Sequence, residues 1–323
     1  MAREWGHLDG VLTGASEALA VGFTLARHGF LLSRRRAVRR LLAALRRLEE
    51  RCQGHPIVMR AAGQVRATTL AFNALALLLF GAWTSSPLVR ARWLPQGAHA
   101  HIFRAACLGD DRYGASLALQ ALSFAYCFVA VNFDAGAAAL MRLAAAQFRV
   151  LLASLASLKH LAAGDARVFR QLVACVDHHT AIVEFVRQLD SVYNSILLVQ
   201  LLYSVLQIAI AGFQFTQISV DFGNSSKFMV AVAFLAVELY LFCSCGEDLM
   251  QLSREVAAAA YDLDWPAVGP ELRGAVRMAV RAGQNPASLT ALRFKKFSME
   301  TFLAVLNASY TYFALLRELK KTE

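Results

Sequence analysis

Six long segments with few charged residues constrain this chain more than any other feature of its sequence. They are 11–32, 67–88, 113–132, 192–220, 228–246 and 298–316. A helix needs about 20 apolar residues to cross a bilayer, and a strand or loop exposed to lipid would leave its backbone groups without hydrogen bonds. The sequence therefore predicts an all-α polytopic membrane protein in which residues 1–323 form a single membrane domain.

Composition supports the membrane interpretation and argues against a nucleic-acid partner. Hydrophobic residues make up 57% of the chain and charged residues only 17%, whereas an average soluble domain carries about 25% charged residues. The net charge of +10 is spread between the apolar segments and is not gathered on a motif that reads a groove. We therefore expect membrane lipid, and no nucleic acid, around this chain.

The distribution of lysine and arginine predicts the orientation of the segments. Most of these basic residues lie in the connections that follow the first, third and fifth segments. The positive-inside rule places these connections in the cytoplasm, so both ends of the chain are expected outside. Two cytoplasmic stretches, 134–190 and 247–297, have apolar residues at helical spacing and predict helices that form a packed layer beneath the membrane.

Several short motifs suggest a receptor, metal or proton-transfer site, but roles in helix packing explain most of them better. The triplet 111–113 reads Asp-Arg-Tyr but begins a segment on the less basic side, which argues against a G-protein-coupled receptor. His178 and His179 stand without further ligands at metal-binding spacing, so a contact between helices is favoured over a metal or proton relay. Glu238 lies in the middle of an apolar segment, where a carboxylate packs against a partner or has a function.

No catalytic constellation is visible in the sequence. Runs typical of nucleophile elbows, zinc proteases, phosphate loops and dinucleotide folds are absent, and the cysteines lack metal-ligand spacing. We therefore expect no enzyme activity, no cofactor and no metal. A solute transporter is also disfavoured because no internal repeat or pair of broken helices is visible.

The last segment carries polar residues that lipid alone does not explain. On a helix, residues three and four apart share a face, which here gives a stripe of small, polar, apolar and acidic residues. The stripe consists of Ala308, Thr311, Leu315, Glu318 and Leu319. It suits either the wall of a narrow aqueous path or packing between helices, and the pattern alone favours neither.

The last third of the chain resembles the insect odorant receptors. Residues 297–320 are similar to the C-terminal signature of that family and align without a gap to its shared co-receptor, including 311–313 and 319–320. Residues 241–265 resemble the family's run from its sixth helix into the cytoplasm, and 172–185 resemble the start of its fifth helix. The remaining segments match by arrangement more than by residue.

This resemblance implies a subunit of a ligand-gated, nonselective cation channel in sensory transduction. It implies a heterotetramer with the odorant co-receptor in the plasma membrane of olfactory sensory neurons, opened by a small volatile molecule and requiring no G protein. The last helix would line the pore, with the hydrophobic gate at Leu315, Leu319 one turn outward, and Glu318 where the co-receptor carries glutamine. The cytoplasmic helices would form a shared anchor.

The family has seven transmembrane helices, and the first segment of this chain resembles the second of them. We therefore expect six of the seven family helices, and a non-functional truncated receptor stands as an alternative. A gustatory receptor of the same superfamily is a further alternative. Its signature usually continues from a Thr-Tyr pair to Gln-Phe, where this chain has Glu318 and Leu319.

The arrangement of the family also suggests where an odorant would bind. The pocket should lie among the outer halves of the first, second, third and fifth segments. Candidate lining residues are Phe80, Trp83, Tyr113, Ser116, Gln120, Phe124 and Phe228. Asp134, Tyr261 and Trp265 are expected to hold the cytoplasmic layer together. Arg27 is expected to extend toward the inner membrane surface from the end of the first segment.

Overall fold

Helices dominate the structure of the chain. A computed structural model describes residues 2–93, 113–158, 166–217, 222–263 and 270–322. The helices are α1 (Ala2–Ser33), α2 (Arg35–Arg51), α3 (Pro56–Trp93), α4 (Tyr113–Leu158), α5 (Ala166–Gln217), α6 (Phe222–Tyr261), α7 (Pro270–Gln284) and α8 (Met299–Thr322), and the strands are β1 (Thr290–Ala291) and β2 (Lys295–Lys296).

The helices α4, α5 and α6 are much longer than a bilayer is thick. They contain 46, 52 and 40 residues, which at the helical rise gives lengths of about 60 to 78 Å. Among the described residues, three stretches are long and apolar enough to cross a membrane, namely Val131–Leu158, Val168–Thr216 and Met229–Tyr261. Because the hydrocarbon core is about 30 Å thick, a large part of each helix extends beyond the bilayer.

The larger of the two clusters of buried apolar residues in the described part of the chain joins α2 to the long helices α4, α5 and α6. Met141 and Phe148 of α4, Ile182 and Phe185 of α5, and Leu249 of α6 are all no more than 1% exposed. They belong to one continuous hydrophobic cluster. The layer that the sequence predicts beneath the membrane therefore has a close-packed apolar core. Burial of this apolar surface is the main source of the layer's stability.

Helix α2 shows how the sequence builds this layer. Its residues Leu41, Leu45 and Leu48 recur at helical spacing and are all buried, while its arginines occupy the other faces. The buried stripe packs against α5. After α2 the chain reverses through Gly54, whose φ of +78° is a left-handed conformation that glycine adopts without steric cost. Pro56 then begins α3, a position that suits its fixed φ.

The stretch 247–297 is not helical throughout, which corrects the expectation for that segment. After α7 the chain turns at Pro286, which lacks the N–H needed to continue a helix, and forms an antiparallel hairpin that pairs Thr290 with Lys296. Phe297 then donates a backbone hydrogen bond to Leu289 at 3.0 Å. The side chain of Ser298 caps α8 by accepting the Thr301 N–H at 3.3 Å.

Candidate functional site

One face of α8 packs against its own subunit. Thr301, Val305 and Ser309 are 2%, 6% and 1% exposed and recur every four residues, so they form a single buried stripe against α5 and α6. The hydroxyl of Ser309 donates to the carbonyl of Val305 at 2.8 Å. Part of the polarity of the last helix is therefore satisfied inside the helix, which allows it to pack tightly.

The predicted pore stripe lies beside this packed face and is largely uncovered in the single subunit. Ala308 is half-buried, whereas Thr311 and Glu318 are exposed. Leu315 and Leu319 are 54% and 57% exposed. The hydroxyl of Thr311 donates to the Asn307 carbonyl at 2.9 Å, which leaves its oxygen able to accept a further hydrogen bond. The stripe is available to water or to another subunit.

The seven predicted pocket residues lie on three helices. Phe80 and Trp83 belong to α3, Phe228 belongs to α6, and Tyr113, Ser116, Gln120 and Phe124 belong to α4. Their side chains fall outside the part of the chain that the structure describes. Their role in binding a volatile molecule stays a prediction.

A buried cluster of charged groups joins four helices, and sequence reasoning did not predict it. Arg27 of α1 forms an ion pair with Asp134 of α4, and each side chain is only 5% exposed. The guanidinium also lies 3.3 Å from the amide oxygen of Gln200 on α5 and 3.9 Å from the carboxylate of Glu238 on α6. One cation therefore faces two carboxylates within the apolar body of the protein.

Aromatic rings enclose the same guanidinium. It lies 4.9 Å from the ring centroid of Phe23 and 5.0 Å from that of Phe133. Phe23 in turn stacks on Tyr203 with centroids 4.1 Å apart. A cation over aromatic faces is stabilised by the ring quadrupole, and more strongly where water is excluded. The rings of Phe23 and Phe133 also cover part of the guanidinium.

These contacts correct two expectations from the sequence. Arg27 does not extend toward the membrane surface, because its partners lie inside the helix bundle. Asp134 does not simply hold the cytoplasmic layer, because its carboxylate pairs with that arginine. The sequence did contain a signal for this cluster, because Arg27, Asp134 and Glu238 lie in or next to three apolar segments. Isolated charges in such segments are costly and tend to pair.

A small cavity adjoins the charged cluster between α3, α4 and α6. Its volume is about 30 Å³, and its lining includes Thr68, Phe72, Asp134, Arg142 and Glu238. Arg142 donates to the hydroxyl of Thr68 at 3.1 Å. A cavity of this volume has room for about one water molecule. It is too small for an odorant.

His178 lies in a contact between helices, as the sequence predicts. Its Nε2 is 3.0 Å from the amide oxygen of Gln147 on α4 and 3.9 Å from the sulfur of Cys52, just after α2. Burial, followed by the positive charge of Arg51, lowers the pKa of His178, which favours the neutral ring. Within the described residues, no group of three metal-type ligands comes together.

Tyr261 and Trp265 were expected to stabilise the cytoplasmic layer. Tyr261 is 64% exposed at the end of α6, so it does not pack into that layer within one subunit. Trp265 lies outside the described residues. The layer depends instead on the apolar cluster of α2, α4, α5 and α6.

Long helices that cross a membrane and continue into a packed layer define a multi-pass helical membrane protein. The family described as 7tm Odorant receptor matches residues 9–310. The chain belongs to this family. The membership predicted from the C-terminal residues is thereby confirmed.

Solved structures support the same fold. The insect olfactory receptor OR5 from Machilis hrabei in complex with eugenol superposes with a TM-score of 0.81 at 17% identity, covering 97% of this chain and 82% of that one. A second structure of the same receptor gives a TM-score of 0.72 at 16% identity. At these identities the likeness shows the fold alone, and it confirms the predicted all-α membrane architecture.

Curated relatives are odorant receptors and their co-receptors. Odorant receptor 13a of Drosophila melanogaster is 28% identical over 159 residues, which are 46% of this chain and 38% of that protein. The odorant receptor coreceptor of Aedes aegypti is 26% identical over 145 residues, or 45% of this chain and 30% of that protein. The chain thus aligns with well under half the length of these relatives.

Proposed function

We propose that this chain is a subunit of a ligand-gated, nonselective cation channel that opens when a small volatile molecule binds in the outer half of the membrane. Family membership and the olfactory receptor fold support this function. Similarity to co-receptors supports assembly with an odorant co-receptor subunit. The site of action is the plasma membrane of olfactory sensory neurons, and the current requires no G protein.

The observation that carries the proposal is the exposed stripe of α8. Leu315 is 54% exposed although it lies in an apolar helix, and it stands between the exposed Thr311 and Glu318. In a ring of subunits, a leucine at this position forms a hydrophobic constriction, and such constrictions stop ions by excluding water. The carboxylate of Glu318, one turn outward, raises the local concentration of cations.

Opening follows from differential binding. A volatile molecule shifts the equilibrium toward the open pore only if it binds the open state more tightly than the closed state. The predicted pocket residues lie on α3, α4 and α6, and α6 packs directly against α8. A change in how α6 packs is therefore passed to the pore helix by direct contact. Apolar residues with a few hydroxyl or amide groups suit a small volatile ligand.

Current measured in cells that express this chain with an insect odorant co-receptor tests the function. We expect a panel of volatile molecules to evoke a cation current, and Leu315→Ala to raise the current without odorant because it widens the constriction. Leu303→Ala is the matched control, since Leu303 is 57% exposed on another face of the same helix. Failure to evoke current despite surface expression, or equal effects of the two variants, would contradict the proposal.

A further inference from the structure

The hairpin before α8 has a strained turn. Leu292 and Arg293 have φ values of +46° and +64°, and neither is glycine. This left-handed region is disfavoured for residues with a side chain, and more so for a bulky one such as leucine. Two such residues in succession persist only where the surroundings hold them, and such places are often functional.

Helix α5 holds the hairpin in place. The carboxylate of Asp190 accepts hydrogen bonds from the N–H of Thr290 at 2.6 Å and from its hydroxyl at 2.9 Å. The N–H of Leu292 donates to the carbonyl of Asn194 at 3.2 Å. Ala291, between them, is fully buried. The base of the hairpin is therefore fixed to one turn of α5.

The tip of the hairpin displays an aromatic ring among basic side chains. Phe294 is 87% exposed, which exceeds every other large apolar residue in the described part of the chain. Arg293, Lys295 and Lys296 are also exposed. Lys295 forms an ion pair with Glu300 at 3.0 Å, so the tip retains a net positive charge. A strained turn thus presents one ring and several cations outward.

The same turn of α5 determines where the hairpin lies relative to the membrane. Asp190 and Asn194 stand where the apolar segment of α5 begins. Arg34, at the junction of α1 and α2, donates to the carbonyl of Ser191 in this turn. The arginine-rich junction and the hairpin tip are thus attached to one level of the protein, and the distribution of basic residues identifies it as the inner membrane surface.

We propose that residues 292–296 bind anionic lipid of the inner leaflet, with the ring of Phe294 among the upper acyl carbons and Arg293 and Lys296 on headgroup phosphates. An apolar side chain flanked by cations is typical of residues that lie in a membrane interface. Phenylalanine and arginine also occur in protein interfaces, but lysine, which supplies two of the three cations here, is depleted there. This inference depends on the membrane orientation and not on the proposed channel activity.

Fluorescence of a Phe294→Trp variant in lipid nanodiscs tests the proposal. Because the ring is exposed, the substitution leaves the core intact, and subtracting the parent spectrum removes the four native tryptophans. We expect brominated phosphatidylserine to quench most of the added emission and brominated phosphatidylcholine to quench less. In the same variant, Arg293→Gln with Lys296→Gln should abolish the difference between the two lipids.

Phe169→Trp provides the matched control. Phe169 is 44% exposed on the same helix that holds the hairpin, about 37 Å along α5 from Asn194, and its emission should respond to neither lipid. If both brominated lipids quench the Phe294→Trp variant equally, the anionic preference is overturned. Absence of quenching would overturn membrane contact, with red-shifted emission indicating water and blue-shifted emission indicating a second copy of the chain.

Discussion

Arg27 of α1 and Asp134 of α4 form an ion pair in which each side chain is only 5% exposed. Gln200 of α5 and Glu238 of α6 complete the surroundings of the guanidinium. The pair therefore fixes the first helix of the structure to three others through a single buried cation. Helix α1 makes a second polar contact with α5, where Ser16 donates to the amide oxygen of Gln207 at 2.9 Å.

Arg27→Met should strongly destabilise the protein. It leaves the carboxylates of Asp134 and Glu238 buried without a cation, and breaking such a pair typically costs about 3–5 kcal/mol. The midpoint of thermal unfolding, followed by size exclusion of a fluorescent fusion in detergent, measures the loss.

The control for this prediction is Arg35→Met, because Arg35 is an exposed arginine close to the α1–α2 junction. Adding Asp134→Asn and Glu238→Gln to Arg27→Met should restore part of the lost stability, since it removes the uncompensated charges. Equal midpoints for Arg27→Met and Arg35→Met would show that the ion pair contributes nothing.

Gly246→Ala should also lower the unfolding midpoint. A Cβ at Gly246 of α6 would stand 2.3 Å from the carbonyl oxygen of Phe297 and 2.9 Å from its Cβ, so the entrance to α8 would have to move. Overpacking of this kind costs about 1–3 kcal/mol. Gly63→Ala is the comparison, because a Cβ there meets nothing within 4 Å and alanine favours a helix by about 1 kcal/mol. A similar midpoint for both variants would contradict the close approach.

Stability of the packed layer formed by α2, α4, α5 and α6 should decrease as the pH falls. Burial lowers the pKa of His178 from its ordinary value of 6.5, so the folded state favours the neutral ring more than the unfolded state does. The stabilising contribution is present above about pH 6.5 and is lost as the pH falls below it toward the folded pKa. His178→Asn keeps a hydrogen-bonding group near Gln147 and should reduce this dependence.

Unfolding midpoints at about pH 7.5 and 5.5 compare His178→Asn with His55→Asn. His55 precedes α3 and lies in the turn after α2, where its N–H donates to the carbonyl of Cys52 at 3.0 Å. We expect only the first variant to lose less stability in acid than the parent chain. An unchanged dependence in His178→Asn would assign the acid effect to other groups.

Glu318→Gln should reduce inward cation current through the assembled channel. Removing one carboxylate at the outer end of α8 lowers the local cation concentration, roughly two-fold or more at low salt, and the effect should shrink when salt shortens the screening length. Glu300→Gln removes the same charge at the other end of α8, where Glu300 pairs with Lys295. Equal effects of the two variants, or no dependence on salt, would argue against Glu318 at the pore mouth.

Some elements of the structure could be predicted from the sequence and others could not. The apolar segments of α5 and α6 and their helical extensions were predictable, because length and periodicity are local properties of the chain. The burial of His178 in a helix contact was predictable because no further ligands stood at metal-binding spacing. The strained hairpin at Leu292 and Arg293 was not predictable, since neither residue favours a positive φ. The hydrogen bonds from the hairpin to α5 hold both residues in this conformation.

By itself the sequence determined the class of protein, the helical segments and the family, because these depend on composition, spacing and residue identity along the chain. The tertiary structure alone decided that Arg27 meets Asp134 and Glu238, and that Leu315 stays exposed while Ser309 is buried. Such partnerships join residues far apart in sequence. They follow from the packing of helices, which requires a buried charge to be compensated wherever a partner comes within reach.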